Sequence, residues 1–366
     1  MKRQFQWMRT PLARRQYSAY GYHLHWVAPP DLQSSHLGPE LPEVRDADGL
    51  VSTRRHLHDG TPISLLNRAM EIVKPMGSAL CEPIQSRLAY IHQQRGDYRS
   101  ELDTLKNIPN PLHQSAAAIA TYKLGRTDDA INFGLRLTTS DQPLLDSLRA
   151  RAVYGVLARD SSSLETASEL ASALPGDCTV KAILKLLNAW VLYDQGANVS
   201  VALVLDDAIS TLKNSNASSK ILVPALQLSG IVAGPEHPNA RVLFQQALNA
   251  CEEANDMVIA MTESLRLLSL SYKMSGEAII AEGLLRSAIS RMTSSRYLSA
   301  PMLTALTATR KTYSDLLRDL EWNGVSRQAD ADRVLAECDA DRKRCPFLNG
   351  DAVPLPEWIV QILTSD

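Results

Sequence analysis

The chain has 366 residues, of which 45% are apolar and only 5% aromatic, and its 38 basic and 40 acidic residues leave a formal net charge of −2. That length admits two or three ordinary domains or one repeat array. The charge balance lacks the basic surplus of proteins that grip a phosphate backbone, the scarcity of aromatics argues against a β-sandwich, and the absence of any run of ~18 apolar residues argues against a membrane span.

The amino terminus carries Lys2, Arg3, Arg9, Arg14 and Arg15 with no acid before Asp31. A basic, acid-free leader interspersed with apolar residues has the character of a mitochondrial presequence. A cationic amphipathic segment is drawn inward by the membrane potential. Residues 1–17 are therefore expected to be a presequence cut near Gln16 or Tyr17, which places the mature protein in the mitochondrial matrix or on the matrix side of the inner membrane. The alternative is a basic arm that binds something acidic. Subtracting the leader's five cations from 38 leaves 33 against 40 acids, or about −7.

Residues 18–60 are expected to be an irregular arm, because Pro29, Pro30, Pro39 and Pro42 interrupt any helix. Helical periodicity starts at Thr61, a predicted N-cap followed by Pro62. Leu65, Leu66, Ala69 and Ile72 form one apolar stripe that stops near Pro75.

Seven helix-turn-helix units follow. Their turns are expected at Gly96-Asp97, Gly125, Asp160-Ser161-Ser162, Gly196, Gly234-Pro235, Gly276 and Gly324. Each is preceded and followed by apolar residues at helical spacing, as Leu265, Leu268 and Tyr272 precede Gly276 and Ala281, Leu285 and Ala288 follow it. Small residues such as Ser269, Ala281 and Ala288 let paired helices approach closely. Pro109, Pro143, Pro175 and Pro301 fall between units, where a helix must end. Turn spacings scatter around the ~34 residues of a tetratricopeptide array.

On these residues the chain resembles a divergent tetratricopeptide-repeat protein, most clearly over 262–290 and at the Gly96-Asp97-Tyr98 and Gly125…Ala130 turns. The resemblance implies an all-α fold, an α-solenoid of stacked helix-turn-helix (TPR-like) hairpins over 61–340. It also implies a protein-binding role without catalysis. Glu101 and Gly134 depart from the pattern, since each stands where an apolar side chain would be usual.

The last segment, 341–366, contains a short apolar helix behind Pro354 and Pro356, and is expected to cap the final hairpin, because a repeat array must cover its terminal apolar face. The competing reading is a linear motif offered to a partner.

Chemistry is sparse. No GxSxG, GxxxxGK[ST], HExxH or GxGxxG motif occurs, so no catalytic residue, cofactor or metal site is predicted. The pairs His23/His25 and His56/His58 lack Cys or carboxylate companions at ligand spacing, and Cys81, Cys178, Cys251, Cys338 and Cys345 lack CxxC spacing. His92 is expected to be a packed, neutral core residue.

Function then rests on the groove lined by the first helix of each hairpin. Arg87, Lys123, Arg149, Lys185, Arg266 and Lys273 are predicted to be exposed there, a basic groove suited to an acidic or helical peptide segment of a partner. The reading is a mitochondrial scaffold, an assembly or maintenance factor or accessory subunit of a respiratory complex or the mitoribosome. The alternative is an organelle RNA-binding repeat factor, which the acidic mature balance disfavours.

Overall fold

The computed structural model describes residues 60–76, 78–138, 143–172, 178–215, 217–254, 257–294, 298–322, 325–344 and 355–364. The predicted presequence, the arm apart from its last residue, and both histidine pairs lie outside them.

The described residues form α1 (Thr61–Val73), a 3-10 turn (Lys74–Met76) and then seven hairpins. These are α2 (Ser78–Arg95) with α3 (Tyr98–Leu105), α4 (Pro111–Lys123) with α5 (Thr127–Thr138), and α6 (Leu144–Ala158) with α7 (Ser161–Ala171). Next come α8 (Cys178–Asp194) with α9 (Asn198–Asn214) and α10 (Ser219–Ala233) with α11 (Pro238–Ala254). Then follow α12 (Val258–Met274) with α13 (Ala278–Thr293) and α14 (Ala300–Arg318) with α15 (Gln328–Arg344). A last helix, α16 (Glu357–Thr364), stands apart. The α-solenoid read from the sequence is the fold.

One backbone device makes most of the turns. Gly96, Gly125, Gly196 and Gly276 take φ between 75° and 81°, a left-handed conformation that costs glycine nothing. At each, the glycine N–H bonds a carbonyl three residues back and the next N–H reaches five back, as in Gly276 to Lys273 and Glu277 to Tyr272. This Schellman pattern satisfies the helix's last carbonyls and turns the chain back on itself. The third turn has the same bonds without glycine. Arg159 adopts φ 56°, with Asp160 to Gly155 and Arg159 to Val156 closing it. Its guanidinium stacks on Trp190 at 4.3 Å and pairs with Asp194 at 2.6 Å, contacts that offset the strain of a left-handed arginine. Asp160 then caps α7 by accepting from the N–H groups of Ser162 and Ser163.

One expectation shifts in detail. Helix α1 starts at Thr61 itself, with Gly60 rather than Thr61 in the cap position. Before α15 the chain forms a two-residue antiparallel ladder, Glu321 to Ser326 and Trp322 to Val325; Gly324, where the last turn is expected, lies outside the described residues.

Each of α1 to α15 packs on its chain neighbours, and first helices also meet successive first helices from α4 through α14. Small residues set these approaches. A Cβ on Gly155 would meet Leu164 at 2.7 Å, and one on Gly134 would meet the Tyr154 backbone at 3.3 Å. Gly134 thus has a packing reason for its departure from the repeat pattern. Polar stitches cross the same seams. Gln227 of α10 donates to the Ala260 carbonyl and to Ser264 of α12, and buried Arg310 of α14 pairs with Asp341 of α15.

The stack also curls, because α14 of the last hairpin touches α2 of the first. The first helices therefore line the inner side of the curve. Helix α16 lies there, on α4 and α6, some 200 residues away in sequence. The structure thus corrects the expectation of a cap on the final hairpin. The final hairpin meets α2 instead, and the apolar tail finds its cover at mid-array.

Candidate functional site

Helix α16 begins behind Pro356, whose carbonyl accepts from the N–H of Ile359 at 3.0 Å. Glu357 sits in the first turn, where a carboxylate complements the helix dipole. Leu355, Ile359, Val360, Ile362 and Leu363 are buried. A helix apolar on so many sides needs cover, and eight residues are too few to hold helical shape alone in water. The cover comes from α4 and α6, and the segment belongs to one apolar cluster that includes Ala118 and Ile119 of α4 and Leu148 and Ala152 of α6. The direction of α16 follows from its ends. Glu357 meets Lys123 at the end of α4, whereas Thr364 lines a pocket with Leu112 and His113 at its start, so the two helices run antiparallel.

The charged end of this contact is a group of four side chains, of which Tyr98, Glu101 and Lys123 are buried and Glu357 is partly exposed. Lys123 Nζ lies 3.8 Å from Glu357 Oε2 and 3.5 Å from the Tyr98 hydroxyl, and 4.8 Å from the centre of the Tyr98 ring. Burial works against the Lys123 charge, but Glu357, Tyr98 and Glu101 together outweigh it and hold the ammonium above its ordinary range. Burial pushes the Glu101 carboxyl up to about 8; Lys123 opposes the shift, and Glu357 and Asp97 add to it. Glu357 is raised by burial, against Lys123. At neutral pH Glu101 therefore keeps its proton, and the carboxyl within ion-pair distance of Lys123 Nζ is that of Glu357. Glu101 Oε2 makes no hydrogen bond, which a neutral carboxyl tolerates better than a carboxylate.

Beyond Thr364 lies a pocket of about 570 Å³ bordered by Glu82, Ser86, Gln93, Glu101 and His113. Ser86 Oγ is 2.5 Å from His113 Nε2, and His113 Nδ1 is 3.5 Å from Glu82 Oε1. The order is that of a nucleophile, base and acid. Acyl transfer also needs N–H donors for the developing oxyanion. Ser86 stands inside α2, where backbone N–H groups are spent on the helix, and its hydroxyl donates to the Glu82 carbonyl at 2.9 Å. The trio as placed lines the pocket wall with polar groups.

The six basic positions predicted for the groove have different fates. Lys123 faces α16. Lys123 and Arg149 were expected to be exposed and are buried, each with 7% of its surface accessible. The cause for Lys123 is the helix lying over it. Arg149 belongs to α6, which α4, α5, α7, α8 and α16 surround. Lys185 pairs with Asp207 of α9, Arg266 with Glu263 on its own helix, and Lys273 with Asp319 at 2.5 Å. Arg87 donates to the Pro83 carbonyl. Burial lowers the His92 pKa, in line with a packed neutral imidazole. Cys81, Cys251 and Cys338 are buried, and among the described residues no group of three or more His, Cys, Asp or Glu is placed to hold a metal ion. No described helix is long and apolar enough to cross a membrane.

Sequence reasoning missed Glu357 and the pocket. It did single out Glu101 as a carboxylate at an apolar position, and that irregularity marks the site.

No protein-family model matches the chain, and no curated protein matches it. Among solved structures it is similar to a signal-transduction ATPase with numerous domains, carrying a tetratricopeptide-repeat sensor, from Pyrococcus horikoshii. The identity is 13% and the TM-score 0.51, over 83% of this chain and 50% of that one. The chain thus spans half the length of that protein. The likeness supports a TPR-like helical solenoid.

Proposed function

We propose that this protein is a non-catalytic scaffold that holds helical segments of partner proteins in the curved interior of its solenoid. One observation carries the reading: an apolar helix with a leading carboxylate already lies in that interior, against Lys123. Among the described residues, Lys185, Arg266 and Lys273 are spoken for by carboxylates, which speaks against a phosphate-binding track. The acid-free leader supports work in the mitochondrial matrix or on the matrix side of the inner membrane. There the scaffold would serve assembly or upkeep of a respiratory complex or the mitoribosome, or sit as an accessory subunit.

Mass spectrometry of what co-purifies with the full chain from gently solubilised organelles tests this. The expected result is a small, reproducible set of proteins at near-stoichiometric yield. A chain that reaches organelles but brings down RNA in place of proteins would overturn the scaffold reading. Retention in mitochondria after removal of residues 1–17 would overturn the assigned address.

A further inference from the structure

Building on the scaffold reading, we infer that the α4–α6 groove is an exchangeable binding site for an amphipathic helix with a carboxylate in its first turn, and that residues 355–364 are its tethered occupant. The partner helix would place apolar residues as this segment does, at Leu355, Ile359, Ile362 and Leu363, and a carboxylate where Glu357 meets Lys123.

Three observations point this way. First, α16 is packed unlike the rest. Helices α1 to α15 rest on their chain neighbours, whereas α16 rests chiefly on α4 and α6, some 200 residues earlier in the chain. Second, its spacing is that of a ligand helix, with anchors at i, i+4, i+7 and i+8 along one segment. Eight residues do not stay helical unaided, so the shape of α16 is supplied by the groove. Third, the charge is complementary and deep. Lys123 is buried on the array side, Glu101 beside it is held neutral, and the anion that answers Lys123 comes from α16. A different helix must bring its own anion or leave that ammonium poorly matched.

A tethered occupant competes with any partner. Short tethers give effective concentrations in the millimolar range, so a groove that binds its free segment at ~10 μM would bind a rival about 100-fold more weakly while the tether is docked.

The test is a fluorescence-anisotropy titration with a labelled peptide of residues 355–364. The receptors are the full native chain and the full chain carrying Ile359→Asp with Leu363→Asp, which releases α16. The released chain is expected to bind the peptide about 10- to 100-fold more tightly than the native chain. A peptide with Glu357→Gln should bind it about 10-fold more weakly than the native peptide. Equal binding by both receptors, or no binding by a released chain that remains helical and unfolds cooperatively, overturns the inference. Should the double substitution prevent folding, the full chain with Glu357→Gln serves as the receptor. The native peptide must then bind it more tightly than it binds the native chain; unchanged affinity overturns the inference. A native chain that elutes as a dimer and that the peptide converts to monomer also overturns it, because the occupant is then a second copy. Failure of the scaffold reading shows separately, as an absence of co-purifying proteins with either receptor, whatever the peptide does.

Discussion

Chains carrying Phe244→Ala are expected to unfold with about 3–5 kcal/mol less free energy than the native chain. Phe244 of α11 keeps 1% of its surface, and its ring lies directly over Gly230 of α10. A Cβ on Gly230 would stand 2.3 Å from Phe244 Cε1, so a methyl and this ring cannot share the space. Gly230→Ala alone is therefore expected to cost about 1–3 kcal/mol through overpacking. In the Phe244→Ala background the same change should become favourable by about 1 kcal/mol, because alanine then enters a cavity and is the better helix former. The double-mutant cycle from urea denaturation reads this coupling. Strict additivity would show that the ring does not nest on the glycine, and the small-to-large pairing that sets hairpin spacing here would be wrong.

The second large effect is electrostatic. Glu101→Gln is expected to stabilise the protein by about 4 kcal/mol at pH 8 and by nothing measurable near pH 4.5. The native carboxyl is pushed up to about 8 by burial, whereas in the unfolded chain it titrates near its ordinary value. Between those values the native state keeps a proton that the unfolded state has released. Unfolding free energy therefore falls as pH rises through the window, at up to about 1.4 kcal/mol for each pH unit. Glutamine keeps the shape and removes the titration. Glu357, also raised by burial, leaves a slope of the same sign in the variant. Parallel stability profiles for the two chains between pH 5 and 8 would contradict the protonated state assigned to Glu101.

The repeat architecture was readable because its punctuation is local. Gly96, Gly125, Gly196 and Gly276 announce left-handed turns by residue type alone, since a side chain there would be strained. Arg159 could not be found this way. An arginine takes that conformation only because Trp190 and Asp194, more than thirty residues later, hold its side chain. The pairing of the ladder before α15 too was hidden from a helical reading.

The site was harder still. The position of α16 depends on an encounter between segments more than 200 residues apart, and nothing near Glu357 encodes it. Lys123 was placed in the groove, yet its burial depends on what covers the groove, which a hairpin read in isolation omits. Glu101 gave the one local warning, a carboxylate at a position built for an apolar side chain.

The central claim is that the chain's own last helix occupies the interior of its solenoid. Amide hydrogen exchange on the full chain, native and with Ile359→Asp and Leu363→Asp, tests it most directly. The account predicts slow exchange across 357–364 in the native chain, and in the variant faster exchange there and in 111–123 and 144–158, with α9 and α11 unchanged. Exchange of 357–364 at the rate of an unstructured peptide in the native chain, with 111–123 indifferent to the substitutions, would contradict it.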